Sequence, residues 1–387
     1  LQAHLCRCTG WLTILEAWRL GADEGELPTG EGRDRTAADR RATLEGRTPQ
    51  RTGPAIARGR GGFADDEAPR DALVAVLGPD GSPRVAETLT EARRLAANPP
   101  GRRTTRRWDP PLEVPPGDWF RTLRTSWVEP AYLETDASWC VPGGEPASPL
   151  ANGGAFGAKR TSEVTALARR LADEHGRPVR VLWSREDVVR RGPKRPPIAA
   201  GIDGSGRGVM RVVRTPGVAE AVAVVAPELV VEEVEVAGPP TSAHIRGAGW
   251  VEAAVLLAAC GDAPDVVVSP DGGRAEAVVA ADGTIGVRVD AGRPLDPVVL
   301  RSYAIGAAHM AWSWVTSESL AVDPDGEIHD LTIRSFGIVR AADMPPVEVE
   351  IVDSDRDPVN GSDAVFAAVA AAAWRHHGHP PVWPVAP

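Results

Sequence analysis

The sequence predicts an α+β fold, with short strands and amphipathic helices grouped into more than one domain. Three observations carry that reading. Short β-prone runs at 73–76, 122–128 and 179–183 have strand length and are set among turn-forming residues. Val164, Leu167, Ala168 and Leu171 recur at three- and four-residue intervals, which lines one face of a helix over 162–175. Gly176, followed by Arg177-Pro178, stops that helix just before the strand that begins at Val179.

Taken in order, residues 1–24 open on Cys6-Arg7-Cys8-Thr9-Gly10. They run into a helical spacing of Trp11, Leu12, Leu15, Trp18 and Arg19. Residues 25–58 are rich in Gly, Arg, Thr and Pro with little periodicity, and read as a linker. Residues 59–150 hold a strand at 73–76, a helix at 87–97, a Pro-rich connector and a strand at 122–128, which suggests a small α+β domain. Residues 151–387 form a second, larger α+β region. Strands are expected there at 229–236, 276–280, 285–289 and 347–352, and helices at 250–260, 298–315 and 364–376.

Composition removes several function classes. Apolar residues make up 43% of 387, enough for a sizeable buried core. No apolar run reaches the roughly 18–20 residues of a membrane helix. A net charge of -10 argues against nucleic acid as the main partner, since phosphate binding needs a basic face. The N-terminus has no basic-then-apolar leader pattern and reads as cut into a domain, so a cytoplasmic protein is expected. Four Cys in 387 residues do not make a disulfide scaffold.

Chemistry has few places to reside. Cys6 and Cys8, one residue apart, are strained as a disulfide but well placed to offer two thiolates to one metal centre. The Gly-rich stretch 152–159 contains Gly153, Gly154, Phe156 and Gly157 and precedes a helix. Such a loop is either a structural turn or a place where backbone N–H groups approach an anion. Asp363 stands before an Ala-rich helix, as its N-cap or as a catalytic carboxylate. His376, His377 and His379 follow that helix and read as an exposed tail.

Several motifs, in one order, resemble the xanthine dehydrogenase/aldehyde oxidase family of molybdenum hydroxylases. Cys6-Arg7-Cys8-Thr9-Gly10 is similar to half of that family's iron–sulfur ligand set. Gly153, Gly154, Phe156, Gly157 and Lys159 match its G-G-G-F-G-G-K loop, and Arg246-Gly247-Ala248-Gly249 resembles its R-G-F-G. Ser184-Arg185-Glu186-Asp187, Asp296-Pro297 and Ala342-Asp343-Met344-Pro345-Pro346 resemble further family segments.

The resemblance implies a helical iron–sulfur remnant (1–24), a hammerhead-like α/β domain (59–150) and a shortened molybdopterin-binding α+β region (151–387). It implies a molybdopterin cofactor flanked by Gly153, Gly154, Phe156, Gly157, Arg246 and Gly247. It also implies a [2Fe–2S] centre at Cys6 and Cys8, and FAD and iron–sulfur partner subunits or a homodimer. The activity implied is oxidation of a heterocycle or an aldehyde with water as the oxygen source.

Three departures favour an alternative, a cofactor-free scaffold. The family's catalytic Glu is replaced by Ser362-Asp363, which leaves Asp363 as the candidate base. The family's G-Q-G-x-x-T pterin block has no counterpart, and Tyr303 stands where a pterin-contacting Gln is expected. A [2Fe–2S] cluster also needs four ligands, and the pair expected upstream of Cys6 is not in this chain.

Overall fold

The computed structural model describes residues 7–8, 11–23, 32–97, 104, 106–151, 153–260 and 266–385. Cys6, Thr9, Gly10 and Asn152 lie outside the described residues.

The chain opens with three helices: α1 (Leu12–Asp23), α2 (Arg35–Gly46) and the single turn α3 (Pro54–Ala57). Strands β1 (Leu73–Leu77) and β2 (Pro83–Ala86), helix α4 (Leu89–Ala96), β3 (Arg121–Thr125) and β4 (Ala137–Cys140) follow. Next come α5 (Val164–His175), β5 (Val179–Leu182), α6 (Arg185–Arg191), β6 (Ile198–Ile202), β7 (Gly208–Val213), α7 (Val218–Val225) and β8 (Leu229–Val234). The last third holds α8 (Trp250–Ala258), β9 (Val267–Val268), β10 (Arg274–Val279), β11 (Ile285–Asp290) and α9 (Pro297–Thr316). It closes with β12 (Val347–Ile351), α10 (Ser362–His376) and β13 (Val382–Trp383).

The strands form three open sheets, ordered β2-β1-β5-β4, β12-β11-β10-β9 and β13-β3-β6-β7-β8. The first sheet pairs β5 in parallel with β1, so the expected boundary at 150/151 falls inside one sheet. Helix α4 packs on β1 and β2, and α5 covers β4 and β5.

The deepest element is α10. Every residue from Ser362 to Trp374 is buried, between α9, α8 and the sheet of β10 and β11. Its run of alanines explains this position, because short side chains let neighbouring backbones come close on all sides. Helix α9 is nearly as buried and starts on the Asp296 cap, whose carboxylate accepts the Val299 N–H at 2.9 Å with Pro297 in the first turn. At Gly306 of α9 a Cβ would lie 1.8 Å from the Cys8 carbonyl oxygen, so the glycine admits the N-terminal segment. No helix among the described residues is long and apolar enough to cross a membrane.

The expected linker contains α2, and the reason it was illegible is chemical. Its buried face carries charged residues, Arg41 and Glu45, in place of an apolar stripe. Arg41 donates to the carbonyls of Pro294 (2.9 Å), Val359 (2.7 Å), Ala291 (3.3 Å) and Arg293 (2.6 Å), and to Glu45 at 3.0 Å. The four carbonyl partners lie 250 or more residues away, so the burial of this polar face has no local signature.

Candidate functional site

A cavity of about 680 Å³ opens between the Gly-rich loop, the start of α8 and the start of α10. Gly153, Gly154, Phe156, Gly157, Arg246, Gly247, Asp363 and Cys8 all line it. Eight positions singled out from sequence therefore share one space, although up to 355 residues separate them.

Local geometry explains the loop. Residues 155–161 form a 3-10 turn in which Phe156 (φ 58°) and Gly157 (φ 100°) take left-handed conformations. The Phe156 carbonyl then accepts the Arg246 N–H at 2.9 Å, tying the loop to the segment before α8. A Cβ on Gly157 would lie 1.8 Å from the His244 carbonyl oxygen. The glycine at 157 is thus required by protein backbone. At Gly153 a Cβ would meet nothing within 4 Å.

Arg246 is the most unusual group in the cavity. Its side chain is 6% exposed and lies over the rings of Phe156 (5.2 Å) and Phe366 (5.8 Å). Its Nε is 3.6 Å from Asp363 Oδ1, while its Nη1 is buried with no hydrogen-bond partner. Burial pushes the guanidinium below its ordinary pKa, and the Asp363 charge works in the opposite direction. Among the described residues lining the cavity, it carries the one buried side-chain nitrogen or oxygen left without a partner.

Asp363 differs from its expected role as an N-cap. The first turn of α10 is capped by others: Glu45 accepts the N–H of Gly361 (3.2 Å) and Ser362 (2.8 Å), and Asn360 Oδ1 accepts that of Asp363 (3.0 Å). The Asp363 carboxylate turns to the cavity, accepting from Arg47 Nη2 at 2.9 Å and Nε at 3.1 Å. Arg47 also pairs with Asp271, and its carbonyl accepts from Arg160 at 3.0 Å. Glu45, Arg47 and Gln50 belong to the stretch read as a linker, and sequence reasoning missed them.

Tyr303, the residue standing in for the expected Gln, donates its hydroxyl to Gln50 Oε1 at 2.7 Å. Lys159 is buried and paired with Glu134, beside the Tyr132 ring at 5.4 Å. Cys8 is exposed at the cavity edge. His376 and His377 are exposed at the end of α10, but the segment is not an external tail: His379 is half-buried against the Trp374 ring at 5.0 Å, and the chain returns to the fold as β13, where Trp383 is buried. One carboxylate–imidazole group of metal-ligating type occurs among the described residues, at Asp323, Glu327 and His329, away from this cavity.

The open mixed sheets match the domains of molybdenum hydroxylases in fold. The chain superposes on the aldehyde oxidoreductase of Desulfovibrio desulfuricans ATCC 27774 with a TM-score of 0.59 and 11% identity, over 99% of this chain and 84% of that one. It superposes on the aldehyde oxidoreductase of Desulfovibrio gigas with a TM-score of 0.56 and 11% identity, over 95% and 82%. No protein-family model and no curated protein matches the chain by sequence. The likeness is one of fold.

Proposed function

We propose that the chain is an oxidoreductase component of the molybdenum-hydroxylase type, whose cavity holds a pterin-based molybdenum cofactor. The observation that carries the reading is the buried, unpartnered Arg246 Nη1 in a cavity of about 680 Å³. A buried donor left without an acceptor is costly, and an anion bound in the cavity would supply one. A phosphate- and sulfur-bearing pterin group has that charge, and the volume is adequate for it. The residues present therefore fit the binding of such a group.

Arg246 would hold the anionic part of the cofactor, with Gly153 and Gly154 giving close approach at the open side of the loop. When bound, the group supplies the redox centre for oxidation of an aldehyde or heterocycle carbon. Asp363 would orient Arg246 and balance its charge. Its Oδ2 is itself held by Arg47, which leaves Oδ1 as the oxygen that could accept a proton. Cys8 at the cavity edge, with Cys6, would contribute two ligands to an iron–sulfur centre completed by other residues, and partner subunits would supply the rest of the electron path.

Elemental analysis of protein purified from its native host tests the reading: molybdenum should approach one per chain. Folded protein without molybdenum favours the cofactor-free scaffold.

A further inference from the structure

Arg246 carries the cofactor reading, yet little holds its side chain directly. The Asp363 carboxylate lies 3.6 Å from its Nε, beyond good hydrogen-bond length. The backbone is unusual as well: Arg246 has φ 22°, and Gly247 (66°) and Gly249 (91°) after it are left-handed. A residue with a side chain is strained at such a φ, and the conformation persists only where its surroundings over-determine it. The Arg246 N–H is held by the Phe156 carbonyl at 2.9 Å.

Its carbonyl is held by Arg195, in the loop ahead of β6. Arg195 Nη1 donates to that carbonyl at 2.9 Å. Its Nε and Nη2 form a two-pronged pair with Glu252, at 2.8 and 2.9 Å. Glu252 Oε2 also accepts the Gly249 N–H at 2.8 Å. One ion pair, with side chains 4% and 0% exposed, therefore grips both ends of 246–249. The Arg195 guanidinium lies over the rings of Trp314 (4.2 Å) and Phe366 (5.2 Å), and Arg246 rests on the same Phe366 ring. Neither Arg195 nor Glu252 is among the described residues lining the cavity.

Resting on the cofactor reading, we infer that Arg195 is the positioning residue of the site: it fixes the Arg246 backbone so that the guanidinium keeps Nη1 free for an anion in the cavity. A lysine could not take its place. The planar fork of a guanidinium meets both Glu252 oxygens and keeps a third N–H for the Arg246 carbonyl, whereas an ammonium retains the charge without that geometry. Arg195→Lys therefore separates position from charge.

The test takes two readings on the full chain from its native host: molybdenum per chain, and hydrogen–deuterium exchange of the 245–249 amides relative to the core amides of α9. Val76→Ala is the control, because Val76 is buried in a separate cluster under α4 and its truncation loosens the core without touching the clamp. Arg195→Lys should raise the exchange ratio at least about tenfold and lower the molybdenum several-fold, while Val76→Ala changes neither. Glu252→Gln, which keeps an acceptor for Gly249 and loses the ion pair, makes the same test if Arg195→Lys does not fold. An unchanged exchange ratio overturns the inference. So does full molybdenum content beside a loosened segment, or an equal molybdenum loss in Val76→Ala, and in both cases the cofactor reading stands. Folded wild-type protein without molybdenum is a different result, which removes the cofactor reading and this inference with it.

Discussion

The carboxylate of Glu45, at the end of α2, accepts the backbone N–H of Ser362 at 2.8 Å, so the first turn of the most buried helix is capped by a side chain 317 residues earlier. Asn360 strengthens the same junction by donating to the carbonyls of Leu44 (3.1 Å) and Glu45 (2.9 Å). Arg41 supplies the compensating charge at 3.0 Å, with both side chains fully buried. The segment between α1 and β1 thereby positions the wall of the cavity.

Glu45→Ala should be severely destabilising. It leaves Arg41 as a buried cation with a lost partner and two helix N–H groups unmet, at a cost of about 3–5 kcal/mol. Urea denaturation measures this, and a loss under about 1 kcal/mol would show that α2 is not a structural element of the site.

Asp363 can be separated from a simple cap by magnitude. Loss of a cap costs about 0.5–2 kcal/mol. Removing the counter-charge of buried Arg246 should cost roughly 3 kcal/mol or more. Asp363→Ala in equilibrium denaturation decides between them, and the larger figure is expected.

The glycines of the loop make different predictions. Gly157→Ala places a methyl group against the His244 carbonyl in a left-handed conformation, and should cost at least about 2 kcal/mol. Gly153→Ala meets no atom within 4 Å and carries only the strain of an L residue at φ 158°, about 1–3 kcal/mol, so it should cost less than Gly157→Ala, with its main effect on cofactor content. Equal losses at the two positions would contradict the assignment of Gly153 to the ligand side.

His309 gives a pH signature. It is fully buried on α9, its Nε2 lies 3.0 Å from the Val339 carbonyl, and burial pushes its pKa down to about 4. The unfolded imidazole titrates near 6.5. Between those values the unfolded chain binds the extra proton, so stability falls as pH drops. The contribution is present in full above about pH 6.5 and is lost through about pH 4, on the order of 3 kcal/mol. Denaturation at pH 7 and pH 5 should show the loss in wild type and a smaller one in His309→Gln.

The sequence made much of this arrangement legible where one residue type does one local job. Helices α5, α8, α9 and α10 are announced by apolar spacing and by stops such as Gly176, whose φ is 61°. The grouping of Gly153, Phe156, Gly157, Arg246 and Asp363 came from motif order, and they do share a cavity. What was hidden depends on tertiary partners. Helix α2 buries an ion pair, which reads locally as a polar linker. Gly157 looked like a ligand-facing glycine, yet the atom it accommodates is a carbonyl 87 residues later, a contact no local pattern encodes.

The most direct test of the central claim is molybdenum per chain in protein from the native host, wild type beside Arg246→Gln, with folding verified for both. Occupancy of the cavity by an anionic molybdenum cofactor predicts a value near one for wild type and a several-fold loss in the variant. Folded wild-type protein free of molybdenum, or a variant that retains the full metal content, would contradict it.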